Sequence, residues 1–527
     1  MRILINASIH TLDASKPLVT SLAIENGRVT AVGQTDELES LAKSPRQIEN
    51  MNGAHILPGF CDAHIHLLDY GRTLSKINCE TSTRQECLQR IQQRVQQTPP
   101  GKWVLGHGWN HNLWPEGMGN AKDLDEISRD HPIYLTAKSL HAGWANGTAL
   151  RLADISSTND DPPGGKIGRD ADGQPDGILL ESAVQLVESV IPAATANENL
   201  ADIQCAQDAL LAMGVTSIHD FSDWEAWKAF RSMEERGELK LRITKSIPRS
   251  QFRTILQEGL HSREGSDRLK IGALKLFSDG ALGMKSAAML EPYENSTDER
   301  GMLVMDEDEI FQIGRDAIQH GIALAIHAIG DRANRAVLNT YQCLREFEQH
   351  SNLPTLRHRI EHVQLIHPED QPRLAKLGII ASMQPIHATS DRVMAEKHWG
   401  SRCSQAYAWQ SLQNHKAQLI FGSDAPVETP NPFYGLYAAT TRKPIEHEDN
   451  EGWHPKECIS LFTAIQCYST SPAFATGQEH SLGKLIPGFH ADLIVLDVNP
   501  FDIPPEELIH LTPTVVMSGG KWVINQP

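Results

Sequence analysis

Two histidines one residue apart, His64 and His66, lie in the stretch Leu57-Pro58-Gly59-Phe60-Cys61-Asp62-Ala63-His64-Ile65-His66. On a β-strand, side chains alternate faces, so both imidazoles point the same way and make half of a metal site. With 24 histidines in the chain, one such pair arises by chance. Further donors follow at Lys275, His327, His362 and Asp424. Nitrogen and carboxylate ligands suit Zn²⁺ and similar ions, and the lack of any Cys-x-x-Cys pair disfavours a closed thiolate site. What gives the set weight is that every member falls at the end of an expected strand.

Those strands come from a repeating pattern. Apolar runs at Gly214–Asp220, Leu239–Ile247, Leu269–Phe277, Ala323–His327, Arg357–His362, Gly378–Met383 and Gln418–Ser423 each follow an expected helix. The helices are placed over Asn199–Met213, Trp224–Arg236, Gln251–Leu260, Asp306–His320, Ala333–His350, Pro368–Leu377 and Ser404–His415. With the His64 strand this makes eight strands and seven connections, the pattern of a parallel (β/α)₈ TIM-like barrel in the α/β class. Such barrels place their chemistry at the C-terminal ends of the strands, where all six donors lie.

The chain ends have a different texture. Residues 1–56 read as short strands, with Glu25-Asn26-Gly27-Arg28 as a hairpin turn. Ala491–Asp497 and Thr514–Ile524, the latter with a Gly-Gly turn, match them, so 1–56 and 480–527 are expected to build one small β-sandwich domain. The barrel occupies 57–479. Within it, 72–198 is too long for a βα loop and rich in Trp, Gly, Pro and Asp, and is expected to form a lid or insertion subdomain. There Trp109, Trp114, His141 and Trp144 are candidates to line a pocket for an apolar substituent.

Composition limits the partners. Lys and Arg number 48 against 66 Asp and Glu, a net charge of −18, which argues against nucleic acid or an anionic membrane as partner. No run of 18 apolar residues and no signal segment is visible, and eight dispersed cysteines fit a reducing compartment, so the expected location is cytoplasmic. The expected partner is a small-molecule substrate, with a second copy of the chain as a possible dimer mate.

Lys275 is a charge in the apolar strand Gly272–Phe277. A buried ammonium must be paired or neutralised, so either Asp279 or Asp220 bridges it, or the neutral amine has reacted with CO₂ to give a carbamate. Asp424, in Phe421-Gly-Ser-Asp-Ala-Pro426, is a candidate general base for an attacking water. His387, in Met383-Gln-Pro-Ile-His387, is either a proton donor or a substrate contact, with Gln384 beside it as a further contact.

Leu57–His66, Lys275-Leu-Phe-Ser-Asp-Gly280, His327-Ala-Ile-Gly-Asp331, Arg359-Ile-Glu-His362 and Gly422-Ser-Asp-Ala425 together resemble the metal-dependent amidohydrolase superfamily. More narrowly they resemble amidohydrolase family 3, the YtcJ-like branch that includes N-substituted formamide deformylase. The resemblance spans nearly the whole chain, including Gly483–Val495 in the C-terminal β segment. It implies a zinc hydrolase with one or two ions. His64 and His66 would hold the more buried ion, His327 and His362 the more exposed one, a carboxylated Lys275 would bridge them, and Asp424 would be ligand and base. The implied reaction is hydrolysis of a C–N bond, amide or formamide. The same site could cleave an ester or deaminate a ring, and a metal-binding scaffold without activity is a further alternative, though it would need no base such as Asp424.

Overall fold

Eight strands run parallel in one sheet of the computed structural model, which describes residues 1–137, 142–283, 285–445 and 451–526. In chain order they are β1 (Phe60–Ile65), β2 (Val215–Asp220), β3 (Arg242–Pro248), β4 (Leu269–Phe277), β5 (Leu324–Ala328), β6 (Arg359–His362), β7 (Ile380–Met383) and β8 (Gln418–Phe421). Each is hydrogen-bonded to the next from β1 to β8. Where β8 returns to β1 there is no ladder, yet the amide of Asp424 donates to the carbonyl of His64 (2.7 Å) and that of His66 to Ala425 (2.9 Å). The sheet is therefore a nearly closed barrel, sealed just beyond the end of β8.

That seal depends on residue size and on one buried acid. A Cβ at Gly422 would lie 2.4 Å from the His64 amide nitrogen, so only glycine lets the chain come this close. The carboxylate of Asp62 accepts from the amides of His64 (3.1 Å) and Ser423 (3.0 Å) and from the Ser423 hydroxyl. Burial pushes the Asp62 carboxyl up to about 7, against the pull of those Ser423 hydrogen bonds.

Helices Trp224–Glu235, Phe252–Gln257, Glu307–Gln319, Asp331–His350 and Gln371–Leu377 connect successive strands from β2 to β7. Between β7 and β8 the path is more helical than the sequence suggests. Pro385–Ser390 and Arg392–Trp399 precede the expected helix, which shortens to Trp409–Asn414. Proline in a first helical turn is tolerated, because its missing N–H would have no partner there anyway. His387 consequently sits on a helix.

The chain ends form two further sheets. One orders Arg28–Gly33, Ser21–Glu25, Arg2–Ile5 and Ile48–Asn50; the other orders Lys521–Ile524, Val515–Ser518, Leu493–Leu496, His55–Pro58, Ser8–His10 and Leu18–Val19. Leu4, Leu22 and Ile24 from the first share one buried cluster with Ile9, Ile56, Leu493, Val495 and Met517 from the second. Asn26 (φ 50°) and Gly27 (φ 77°) both adopt the left-handed backbone that a type I′ hairpin turn needs. These sheets and the barrel form one compact unit, Met1–Asp69 with Ala206–Pro527.

The second unit, Tyr70–Cys205, has a mixed six-stranded sheet of its own, with Val104–Trp109, Ile133–Ala137 and Ala142–Ala145 at its centre. Among the described residues, no helix in either unit is long and apolar enough to cross a membrane.

A buried ion pair ties the C-terminal segment to the barrel. The Arg242 guanidinium donates to both carboxylate oxygens of Asp492 (2.6 and 3.2 Å), which also accept from the Gly519 amide (2.6 Å). Burial pushes the Asp492 carboxyl up, but Arg242 outweighs it and holds the carboxyl below its ordinary value. A depressed native value means that the stabilisation is present above the unfolded carboxyl's pKa and is lost as pH falls through the lower native one. Removing one partner strands a buried charge. Asp492→Ala is expected to cost about 3–5 kcal/mol, read as a lower denaturant midpoint at pH 7, with a smaller deficit in acid. A loss under about 1 kcal/mol at pH 7 would contradict the pairing.

Candidate metal centre

At the C-terminal ends of β1 and β6, a chain of buried polar contacts fixes the orientation of His64. Its Nδ1 lies 2.6 Å from Glu361 Oε2, and its ring stacks on Phe221 with centroids 4.0 Å apart. With Nδ1–H donating to the carboxylate, Nε2 keeps its lone pair, the state a metal ligand needs. Glu361 is held in turn by Arg359, whose guanidinium also donates to the Ala63 carbonyl, the Ser382 hydroxyl and His219 Nδ1. Burial raises the Glu361 carboxyl, but Arg359 and His64 outweigh it and hold it well below the usual carboxylate range. A full negative charge thus sits behind His64.

His362 arrives by a different route. Strict alternation along β6 would place it on the face opposite Arg359 and Glu361. Its backbone is left-handed (φ 76°), and its ring lies 5.0 Å from that of His64 and 4.7 Å from that of His327. His362 Nδ1 faces Gln384 Oε1 at 2.9 Å, which leaves Nε2 available as with His64.

Asp424 also has a left-handed backbone (φ 62°), and its Oδ1 lies 3.4 Å from Nε2 of both His64 and His66. Donor atoms of His64, His362 and Asp424 all lie within 4.8 Å of one another. Burial pushes the Asp424 carboxyl up, but His64, His66 and His362 outweigh it and keep it well below its ordinary value. Burial lowers the imidazoles, His64 and His327 to about 4 and His362 well below its usual value. Neutral imidazoles beside an ionised carboxylate are the donor states that a divalent cation takes, so the residues present fit such an ion.

The remaining expected site residues are less uniform. His66 is at the rim and shares Asp424 with His64. His327 turns Nε2 to the Gly280 carbonyl (3.1 Å), so its lone pair is on Nδ1. Lys275 is buried, with Nζ 4.9 Å from the centre of the Phe221 ring and 4.8 Å from that of Phe277. Neither expected ion-pair partner meets it. Asp279 accepts from the amides of Ala288, Ile329 and Gly330, and Asp220 pairs with Lys245 at 3.0 Å. Burial lowers the Lys275 ammonium to about 8, although Glu361 and Asp424 draw it upward.

His387 is buried, its Nδ1 3.5 Å from Gln364 Nε2, and its Nε2 has no partner among the described residues. Trp109, Trp114 and Trp144 do not line an open wall. They are 2%, 4% and 0% exposed at the core of the second unit, their ring centroids 6.0–6.3 Å apart. Each indole N–H donates to a backbone carbonyl, of Leu135, Thr81 and Asn120 respectively, so packing absorbs all three. His141 lies outside the described residues.

Arg359, Glu361 and Asp62 escape a search for metal ligands, because none is one. The available signal was opposite charges two residues apart in a strand otherwise made for burial.

A family model described as the amidohydrolase family matches residues 47–524. Among curated proteins, the chain is 30% identical to YtcJ of Bacillus subtilis (strain 168), covering 95% of each. It is 27% identical to N-substituted formamide deformylase of Arthrobacter pascens, covering 96% of this chain and 95% of that one. Among solved structures, an uncharacterized metal-dependent hydrolase from Pyrococcus furiosus superposes with a TM-score of 0.78 at 28% identity, over 95% of this chain and all of that one.

If Glu361 orients His64 for a cation, Glu361→Gln is expected to weaken zinc binding about 10–100-fold in a chelator competition. Unchanged affinity would contradict that role.

Proposed function

The chain belongs to the amidohydrolase family, whose superfamily comprises metal-dependent hydrolases, and from that premise we propose that it hydrolyses a C–N bond, amide or formamide, in a small-molecule substrate. The observation that carries this reading is Asp424, ionised and 3.4 Å from both His64 and His66. An ionised carboxylate at that position can serve as base as well as ligand.

His64, His66, His327, His362 and Asp424 would hold one or two divalent ions, Zn²⁺ being the ion that this donor set suits best. When bound, such an ion polarises a carbonyl and lowers the pKa of water toward neutrality. Asp424, ionised at neutral pH, takes the proton of the attacking water and delivers it to the departing nitrogen. His387, buried and with no partner for Nε2 among the described residues, would donate to the developing oxyanion or to the leaving amine. Glu361 and Gln384 hold the rings of His64 and His362 still while this happens.

Lys275 fits a carbamate better than an ion pair. Its expected carboxylate partners are engaged elsewhere, and burial lowers its ammonium to about 8, so neutral amine is present to react with CO₂, releasing one proton. The carbamate would then offer two oxygens to the ions held by the histidines. Protein equilibrated with labelled bicarbonate is expected to show a carbamate carbon resonance that Lys275→Met lacks, and the same resonance in both proteins would remove the assignment.

The similarity to N-substituted formamide deformylase directs the first substrates to N-formyl and N-acyl amines. Metal-loaded protein is expected to cleave members of this set. Asp424→Asn, which keeps an oxygen ligand but no base, should lower turnover about 10²–10⁴-fold with metal retained. Cleavage of esters alone would overturn the bond class, and full turnover by the variant would overturn the base.

A further inference from the structure

Toward the N-terminal ends of the strands, the barrel is hollow. Barrel interiors are ordinarily filled by layers of bulky branched side chains. Here the walls contain Thr244 and Ser246 of β3, Gly272 and Ala273 of β4, and Ala323 just before β5. The small side chains leave a cavity of about 110 Å³.

The charge of this cavity runs against that of the chain. In a protein of net charge −18, its walls carry Arg263, Lys270, Arg357 and Arg359, and no aspartate or glutamate. Two of the four are already satisfied. Arg359 spends its donors on Glu361, His219, Ala63 and Ser382, and Arg357 pairs with both oxygens of Glu479 (2.8 and 2.5 Å). Arg263 and Lys270 have no carboxylate within ion-pair distance among the described residues. Burial, with Arg357 alongside, holds the Arg263 guanidinium below its ordinary value, although Glu479 draws it upward. Between these cations and the interior the wall is apolar, formed by Ile271, Ala273, Ala323, Leu356 and Ala475.

Two cations without an ion-pair partner among the described residues, beside an apolar recess, match a ligand with one anionic end and a short hydrocarbon body. We propose that the hollow lower half of the barrel is a binding site for small aliphatic carboxylates, with the carboxylate between Arg263 and Lys270 and the alkyl chain in the recess. Inorganic phosphate shares the charge but lacks the body, and the apolar wall selects against it. The site lies at the opposite end of the strands from His64 and Asp424, so its occupant and a substrate there do not compete for space.

The test is calorimetric titration of the metal-loaded, full-length protein with butyrate and, separately, with inorganic phosphate. Butyrate is expected to bind one equivalent more tightly than phosphate. Arg263→Ala/Lys270→Ala should weaken butyrate at least about ten-fold, the effect of losing charge-assisted hydrogen bonds. Ala323→Leu, which fills the recess, should weaken it similarly, with thermal melting verifying that each variant is folded. The charge variant alone decides the matter if the filled one does not fold. Butyrate binding unchanged in the charge variant would place the ligand on the metal and overturn the proposal. Preference for phosphate would overturn the apolar half, and no binding of either would leave the hollow to water.

Discussion

A carboxylate buried without solvent, Glu361, is the constraint around which the centre of this barrel is arranged. A charge in such a place is costly unless it is paired, and Glu361 is paired twice, with Arg359 on one side and His64 on the other. Arg359 in turn reaches β1 through the Ala63 carbonyl, β2 through His219 and β7 through the Ser382 hydroxyl. One guanidinium thereby cross-links four strands, β6 included, through the middle of the barrel, and Glu361 carries that network on to the His64 ring. The arrangement makes His64 a directional donor: Nδ1 is spent inward, and Nε2 faces Asp424 and His362.

The seam of the barrel enforces the other half of the geometry. Gly422 admits the β8 chain to within backbone contact of β1, Asp62 ties Ser423 to the His64 amide, and the following residue, Asp424, turns left-handed. The carboxylate proposed as base is thus delivered by the same contacts that close the sheet. Loss of Asp62 or of the glycine would be felt as instability and as a displaced Asp424 together, since the same backbone contacts serve both.

Much of this was legible in the sequence because periodicity carries it. The eight strands, their parallel order and the positions of His64, Lys275, His327 and Asp424 at or just beyond strand ends follow from apolar runs alternating with amphipathic helices. What alternation does not carry is any residue that leaves the regular backbone. His362 lies among the other rings although strict alternation would send it to the opposite face, and only its left-handed φ accounts for this. The helix carrying His387 opens on a proline, which reads as a break. Trp109, Trp114 and Trp144 suit a pocket or a core equally well in sequence, because large aromatics serve both and composition does not distinguish the two. Lys275 shows the limit most plainly. A buried lysine announces that something compensates it, but which carboxylates are already taken is a fact of three dimensions.

The central claim is that the ring of His64, His66, His327, His362 and Asp424 is where this protein holds its metal. Anomalous diffraction at the zinc edge, from crystals of zinc-loaded protein, addresses it without reference to any substrate. The account predicts a peak about 2.0–2.2 Å from His64 Nε2 and from a carboxylate oxygen of Asp424, with the Glu361 contact to His64 intact. Zinc bound stoichiometrically at any other place in the chain, with these donors left unliganded, would contradict it.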